Sequence, residues 1–424
     1  MGLEYLDSIP NLLCASQKRA KSSKNTGALF PVINSGEDIS SIGELLNSVA
    51  VQKAIEESDY EGAILPYVNT REIEKACSTN NWKLFAPSTN IIGELERKDT
   101  AMHFIESVCP EALLPATIIR FGDYKWKQES AGYAVQRIDT IYSGGKGTLL
   151  AKTEDEFYNL GIESNENVKI SPFVNGPSLN INAVAHPDGT ITTDVSLQII
   201  GPKICSENSA AYCGNDWDAA KELPEFIHKK VRALTEKVGA ALSARDYKGW
   251  FGIDFLVDSV SNHIYIVEIN PRLQGSTSMI TITQSLNKQI PLLCMHIMAH
   301  LSIPLAMPSQ QISEEYRNTT NGAHILLRNG PKSVKYSHVA SPGLYMPKAK
   351  GIWEQRSDSI QLADTLGTNG IVIHGIPPEH EIIPPHDRIL TIQSPHQVLQ
   401  GVESSLLTKE IFNLSRHLRG MFHV

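Results

Sequence analysis

Residues 266–279 read IVEINPRLQGSTSM, and their side chains alternate in character. In a strand, Glu268 and Asn270 share one face, and Arg272 continues it if the chain stays extended. The run GWFGIDFLVD (249–258) supplies a partner strand, joined to HIYIVEIN (263–270) by a short Ser/Asn loop. A loop of odd length centred near Ser261 sets Asp254 opposite Glu268, and such neighbours lie roughly 5 Å apart. Two carboxylates that close repel unless a cation sits between them. With the Asn270 oxygen they form a hard donor set suited to Mg²⁺, which keeps several waters and shares substrate phosphates. Arg272 just beyond would meet an anion, its planar fork matching phosphate or carboxylate. The competing reading is a surface hairpin with a solvated polar face. Against it, Ile266, Val267 and Ile269 make the strand apolar enough to be buried.

A second candidate is SGGKGT (143–148), a turn between two strand-like runs, YAVQRIDT and TLLAKT. Gly144, Gly145 and Gly147 let backbone N–H groups approach phosphate oxygens, and Lys146 adds a positive charge. The spacing fits neither a Walker A loop nor a dinucleotide-binding fingerprint. By itself the turn is weak, because glycine-rich hairpin turns are common.

These residues need elements to hold them. Before residue 95, short apolar runs (27–33, 61–68, and WKLFAPS) alternate with helical spacing, which predicts a small parallel sheet. TREIEKACSTNN reads as a helix capped by Thr70. A helix with a proline stop follows over 96–117. VKISPFVNG (168–176) reads as a strand ended by Gly176. A hairpin turns at Pro187-Asp188-Gly189. Residues 201–218 read as a long loop, and LPEFIHKKVRALTEKVGAAL (223–242) as an amphipathic helix with Pro224 in its first turn. After about 305, short strands and proline-rich turns predict a smaller α+β unit closed by a helix near 402–419.

At about 100–200 residues per domain, 424 residues make two or three domains. A chain 41% hydrophobic and 20% charged has the material for a real core. A net charge of −8 with interspersed signs argues against a partner such as nucleic acid or a membrane surface. Six scattered cysteines without a CxxC pair predict free thiols rather than zinc or redox motifs. No secretory leader, myristoylation pattern or spanning apolar run is legible, so a cytoplasmic protein is expected.

Taken in order, these pieces resemble the ATP-grasp superfamily over roughly residues 60–300. An acid on one strand, then Glu-x-Asn-x-Arg on the next, is that superfamily's metal signature. The resemblance implies an α/β and α+β fold in three parts. These are a Rossmann-like pre-ATP-grasp domain (1–95), an ATP-grasp domain (96–304, with its Gly-rich-loop subdomain at about 118–175) and a C-terminal lid domain (305–424). It implies ATP and Mg²⁺ as cofactors, with Mn²⁺ an acceptable substitute. Asp254, Glu268 and Asn270 would hold the metal, and Arg272 the phosphoryl group or a substrate carboxylate. Lys98 would contact phosphate. Gly144, Gly145, Lys146 and Gly147 would cover the triphosphate, with Lys146 also in a catalytic role. Ser171, Phe173 and Val174 would hold the adenine through the hinge. One position departs from the pattern: the usual Lys before the Gly-rich turn is Gln136, so Lys146 or Arg137 compensates or phosphate binding differs.

The superfamily's chemistry is carboxylate activation as an acyl phosphate. Biotin carboxylases share the closest layout, including a Gln and a Lys matching Gln198 and Lys203, which makes Lys203 a catalytic candidate. They continue Asn-x-Arg-x-Gln with an acid that serves as the base for bicarbonate. Here NPRLQ continues GSTS, with Ser276 in that place, and carboxylation is disfavoured. The resemblance then implies a carboxylate–amine ligase joining amino acids or peptides, similar to the pheganomycin-type ligases. Gln274, Gly275 and Ser276, with Asn215 and Asp216 from the loop AYCGNDW, would meet the small-molecule substrates. Two alternatives stay open: loading of an amino acid onto a carrier-protein thiol, and a non-catalytic nucleotide-binding protein. A homodimer is compatible with the superfamily.

Overall fold

The structure is a computed structural model that describes residues 14–16, 32–34, 41–57, 62–127, 131–138, 147–348, 352–402 and 405–423. The leader is α/β, with two separate parallel strand pairs. Cys14–Ser16 lies beside Val32–Asn34, and Ala63–Ile64 beside Lys83–Leu84. Helix Arg71–Asn80 begins as expected: the Thr70 hydroxyl accepts the Ile73 N–H, one of the donors a helix start leaves free. The helical stretch after residue 40 divides at Ser48 into Ile42–Asn47 and Val49–Glu56. The Ser48 hydroxyl is spent on capping the second helix.

A four-stranded antiparallel sheet follows, in the order Thr117–Arg120, Asn167–Pro172, Tyr133–Arg137, Thr148–Ala151. One face carries Tyr133, Val135, Val168 and Ile170, packed on Phe121 and Phe157. By the two-residue period of a strand, the other face carries Gln136, Lys169 and Ser171.

The main sheet has eleven strands. From one edge it runs Ile264–Asn270, Gly249–Val257, Ser178–His186, Ser196–Ile200, Tyr212–Asp216, Ala323–Arg328, Arg388–Ser394, Ile371–His374, Gly343–Pro347 and Trp353–Ser357, with Gly189–Thr192 paired to Ser178–His186. Alternation sorts its residues into two layers. Leu179, Ile181, Ile253, Phe255, Ile325, Leu327, Leu390 and Ile392 enter one apolar core. That core is closed by helix Glu225–Ser243 through Ile227, Val231, Leu234, Val238 and Leu242, one face at helical spacing. The intervening Asn180, Gln198, Asn215, Asp254, His324, Thr391 and Gln393 line a cleft on the opposite side.

One expectation changes here. Residues 201–218 are not one long loop: they contain strand Tyr212–Asp216 and lead into the short helix Trp217–Ala220. Apolar neighbours pair with that strand on both sides, which its polar sequence concealed. The sheet also runs unbroken across the boundary expected at 304/305, because Ala323–Arg328 pairs directly with Tyr212–Asp216. The terminal helix Lys409–Arg419 adds Leu414 and Leu418 to the same core.

Among the described residues, no helix is long and apolar enough to cross a membrane. Cys77, Cys109, Cys205, Cys213 and Cys294 are free thiols.

Candidate active site

A cleft of about 1540 Å³ lies between the two sheets and the leader. Pockets for a single small ligand are roughly 300–1,000 Å³, so this one has room for a nucleotide and a second molecule.

Asp254 and Glu268 face each other across the hairpin, as the alternation requires. The route to that pairing differs from the expected odd loop. The connection spans 258–263, an even number of residues, and a bulge at Val267 shifts the register between Asp254 and Phe255. A bulge places two residues against one, and Val267 and Glu268 both line the cleft while Ile266 and Ile269 enter the core.

The two carboxylates are held differently. Lys98, the first residue of helix Lys98–Val108, pairs with Glu268 Oε1. Burial alone would raise Glu268, but the charges of Lys98, Arg272 and Lys169 hold it below its ordinary value. Asp254 has amide partners only. Asn180 Nδ2 donates to its Oδ1 at 2.7 Å and Asn270 Nδ2 to its Oδ2 at 3.4 Å. Burial, then the charge of Glu268, pushes Asp254 up to about 7.

The donor set fits a hard divalent cation in part. Among the described residues no group of three or more His, Cys, Asp or Glu forms. The protein offers two carboxylates and amides, and water and phosphate would complete a Mg²⁺ shell. Asn270 now turns its nitrogen to Asp254 and its oxygen to Arg272, 3.2 Å from NH2, so it would have to rotate to serve as a ligand.

Arg272 lines the cleft, but its Nε is taken by Glu96 Oε1 at 2.7 Å. Tyr67 lines the cleft near it, and the Arg272 charge opposes the rise that burial imposes on the Tyr67 hydroxyl. Gln274 accepts from Asn180 at 3.2 Å, and its amide packs directly on Gly252, where a Cβ would lie 1.9 Å from Gln274 Oε1 and displace it. Ser276 is buried and accepts from Asn182 Nδ2 at 2.9 Å, while Gly275 lies against the Tyr212 hydroxyl.

At the hinge, Ser171, Phe173 and Val174 line the cleft, and Lys152 sits 5.0 Å from the Phe173 ring centre. The strand ends at Pro172, not at Gly176 as expected; Gly176 lies four residues on, where a Cβ would meet the Val257 carbonyl at 1.8 Å, so glycine lets the hinge touch the carboxylate hairpin. Gln136 lines the cleft and donates to Thr148 Oγ1 at 3.2 Å. Gly147 is buried, while Gly144, Gly145 and Lys146 lie outside the described residues.

Lys98 reaches the cleft only through Glu268, Gly147 does not line it, and two further candidates stand away from it. Lys203 is exposed and does not line it. Asp216 is fully buried on the far side of its strand, where its carboxylate accepts the N–H groups of Ala219, Val398 and Leu399 at 2.7–2.9 Å. Its neighbour Asn215 does line the cleft.

Sequence reasoning missed several residues in or beside the cleft, of which Asn182 and Lys169 do not line it. Asn180 and Asn182 were legible as a period-two amide pair in NINAV, and Lys169 as a lone charge in VKISP. Glu96, Tyr67, His324, His374 and Arg388 carry no local signal. His374 and Arg388 come from strands far along the chain and meet the cleft only through the sheet order. The Arg388 side chain has no hydrogen-bond or ion-pair partner among the described residues. Arg328 opposite it is spent on the carbonyls of Tyr212 and His386.

Residues 122–276 match the ATP-grasp domain family. Among curated proteins no match was found. Three solved structures show the likeness. Biotin carboxylase from Campylobacter jejuni is 15% identical, with 93% of this chain and 85% of that one covered at a TM-score of 0.56. N5-carboxyaminoimidazole ribonucleotide synthetase from Thermotoga maritima is 14% identical, with 100% and 95% covered at 0.55. L-amino acid ligase from Bacillus licheniformis is 14% identical, with 89% and 84% covered at 0.50. The chain spans only 33% of the pyruvate carboxylase of Rhizobium etli that it also matches, at 16% identity and a TM-score of 0.54. On the match over residues 122–276 and these likenesses, the chain has the ATP-grasp fold.

Proposed function

We propose that this chain is an ATP- and Mg²⁺-dependent ligase that activates a small carboxylate, an amino acid or peptide, as an acyl phosphate and couples it to an amine. The observation that carries the reading is the Asp254–Glu268 pair facing a cleft large enough for nucleotide and substrate together. The metal would neutralise charge on the phosphates and on the transferring phosphoryl group. The chain's own residues bind, orient and shield. Lys98 holds Glu268 ionised, Asn180 orients Asp254, and Glu96 fixes the plane of Arg272. Ser171, Phe173 and Val174 would seat the adenine. No covalent step on the protein is required, because positioning and charge complementarity suffice for phosphoryl transfer.

Two features favour ligation over carboxylation. Ser276 stands where a carboxylase-type acid would follow the Arg-x-Gln run, and its hydroxyl is held by Asn182. The far end of the cleft presents the free guanidinium of Arg388, suited to a carboxylate group of a substrate. The test is ADP release from ATP and Mg²⁺ with panels of amino acids and dipeptides. ADP formation that requires both a carboxylate and an amine supports the reading, and ADP formation that requires bicarbonate instead refutes it.

A further inference from the structure

Charges around the carboxylate pair can be matched one by one. Lys98 is taken by Glu268, Arg272 by Glu96, and Arg137 by Glu166 at 3.3 Å, with a further bond to the Gly161 carbonyl. Lys169 is left over. It is 5% exposed, and its ammonium has no hydrogen-bond or ion-pair partner among the described residues. A buried ammonium without an acceptor costs several kcal/mol, so the position is unfavourable unless an anion completes it.

Its place in the sheet shows where that anion would sit. Lys169 is the register partner of Gln136 across two antiparallel strands, and the two side chains therefore share a face. Gln136 lines the cleft, and so does Ser171, two residues along from Lys169 on the same face. Lys169 does not itself line the cleft but sits behind Gln136 and Ser171, near enough to feel the charges of both Lys98 and Glu268. Asp254, close by, is the complementary case: a half-buried carboxylate with only amide partners. An unmatched cation beside an unmatched anion fits a ligand carrying both signs, a divalent metal bound to a polyphosphate.

We propose that Lys169 binds a phosphate oxygen of the nucleotide, supplying from the neighbouring strand the positive charge that Gln136 lacks. Arg137, the nearest alternative, is committed to Glu166 on the outer side. The inference rests on the nucleotide-binding reading above and adds a residue to it.

The experiment is calorimetric titration of the full chain with ATP plus Mg²⁺ and, separately, with adenosine, which lacks phosphates. Lys169→Gln should weaken ATP by about 10- to 100-fold, the loss of one charge-assisted hydrogen bond, and leave adenosine within about twofold. The exchanged pair Gln136→Lys/Lys169→Gln returns the ammonium to the facing position and should recover most of the ATP affinity. It also carries the test if the single variant does not fold. Equal weakening of ATP and adenosine would mean a structural lysine and overturn the proposal, as would unchanged ATP affinity in Lys169→Gln. An exchanged pair that binds adenosine but not ATP would overturn it too. A wild-type chain that binds neither ligand would overturn the nucleotide reading itself and this inference with it, whereas wild-type ATP binding with a silent Lys169→Gln sinks the inference alone.

Discussion

Asn215 and Asp216 are consecutive on one strand and look in opposite directions, Asn215 into the cleft and Asp216 into the protein. Asp216 ties three backbone N–H groups, one in helix Trp217–Ala220, which it caps, and two in the distant segment Val398–Leu399. Removing the carboxylate leaves buried donors without partners, each worth about 1–3 kcal/mol. Asp216→Ala should therefore lower the melting temperature by several degrees while the folded fraction keeps its substrate KM. Asn215→Ala should show the reverse emphasis, a higher substrate KM with a smaller loss of stability. Thermal melts and steady-state kinetics on both variants separate the two roles.

Glu268 is the ligand whose ionised form the site protects most. Glu268→Gln keeps the shape and removes the charge, so turnover should fall by at least about 100- to 1000-fold. Circular dichroism should remain that of the parent. Activity within a few-fold of the parent would show that the metal assignment is wrong.

The Glu96–Arg272 pair makes a different prediction. Glu96 fixes the guanidinium through Nε, and a misplaced positioning group costs rate rather than nucleotide binding. Glu96→Gln should reduce kcat by about 10- to 100-fold with the KM for ATP nearly unchanged. A change confined to the KM for ATP would place Arg272 on the nucleotide in the ground state instead.

Acid sensitivity follows from buried histidines. His296 Nδ1 accepts the Trp250 N–H at 2.8 Å, so Nε2 carries the hydrogen donated to the Phe85 carbonyl at 3.0 Å. Burial, then the charge of His300, pushes His296 down to about 3. Its folded value lies below the unfolded one, so the unfolded chain binds the extra proton. The stabilising effect is complete above about pH 6.5 and is lost as pH falls toward 3, at about 1.4 kcal/mol per unit for this residue. Unfolding measured between pH 7 and 5 should show this slope, and His296→Gln should flatten it. An unchanged slope in the variant would assign the effect to other groups.

The carboxylate pair was legible because alternation places Glu268 and Asn270 on one face whatever the loop does, and Asp254 lies near enough to oppose them. The bulge at Val267 was not legible, since a one-residue insertion into a ladder leaves no residue signature. It still delivered the same pair, correcting for a loop of even length. Thr70 was legible as a cap because capping is local chemistry. Asp216 was misjudged as a substrate contact because facing depends on strand pairing, and the strand itself read as loop. Lys169 gave only a weak signal, a lone charge in an apolar strand, because a lysine in a strand ordinarily marks the solvent side, yet here it is 5% exposed. His374 and Arg388 reach the cleft through the order of an eleven-stranded sheet, which no local pattern encodes.

The central claim, activation of a carboxylate as an acyl phosphate, is tested most directly by trapping that intermediate. The chain is incubated with ATP, Mg²⁺, a panel of amino acids and dipeptides, and hydroxylamine as a strong amine nucleophile. A hydroxamate of one carboxylate class should form in proportion to ADP and be absent with Glu268→Gln. A chain that binds ATP and Mg²⁺ yet yields neither ADP nor hydroxamate with any carboxylate would contradict it.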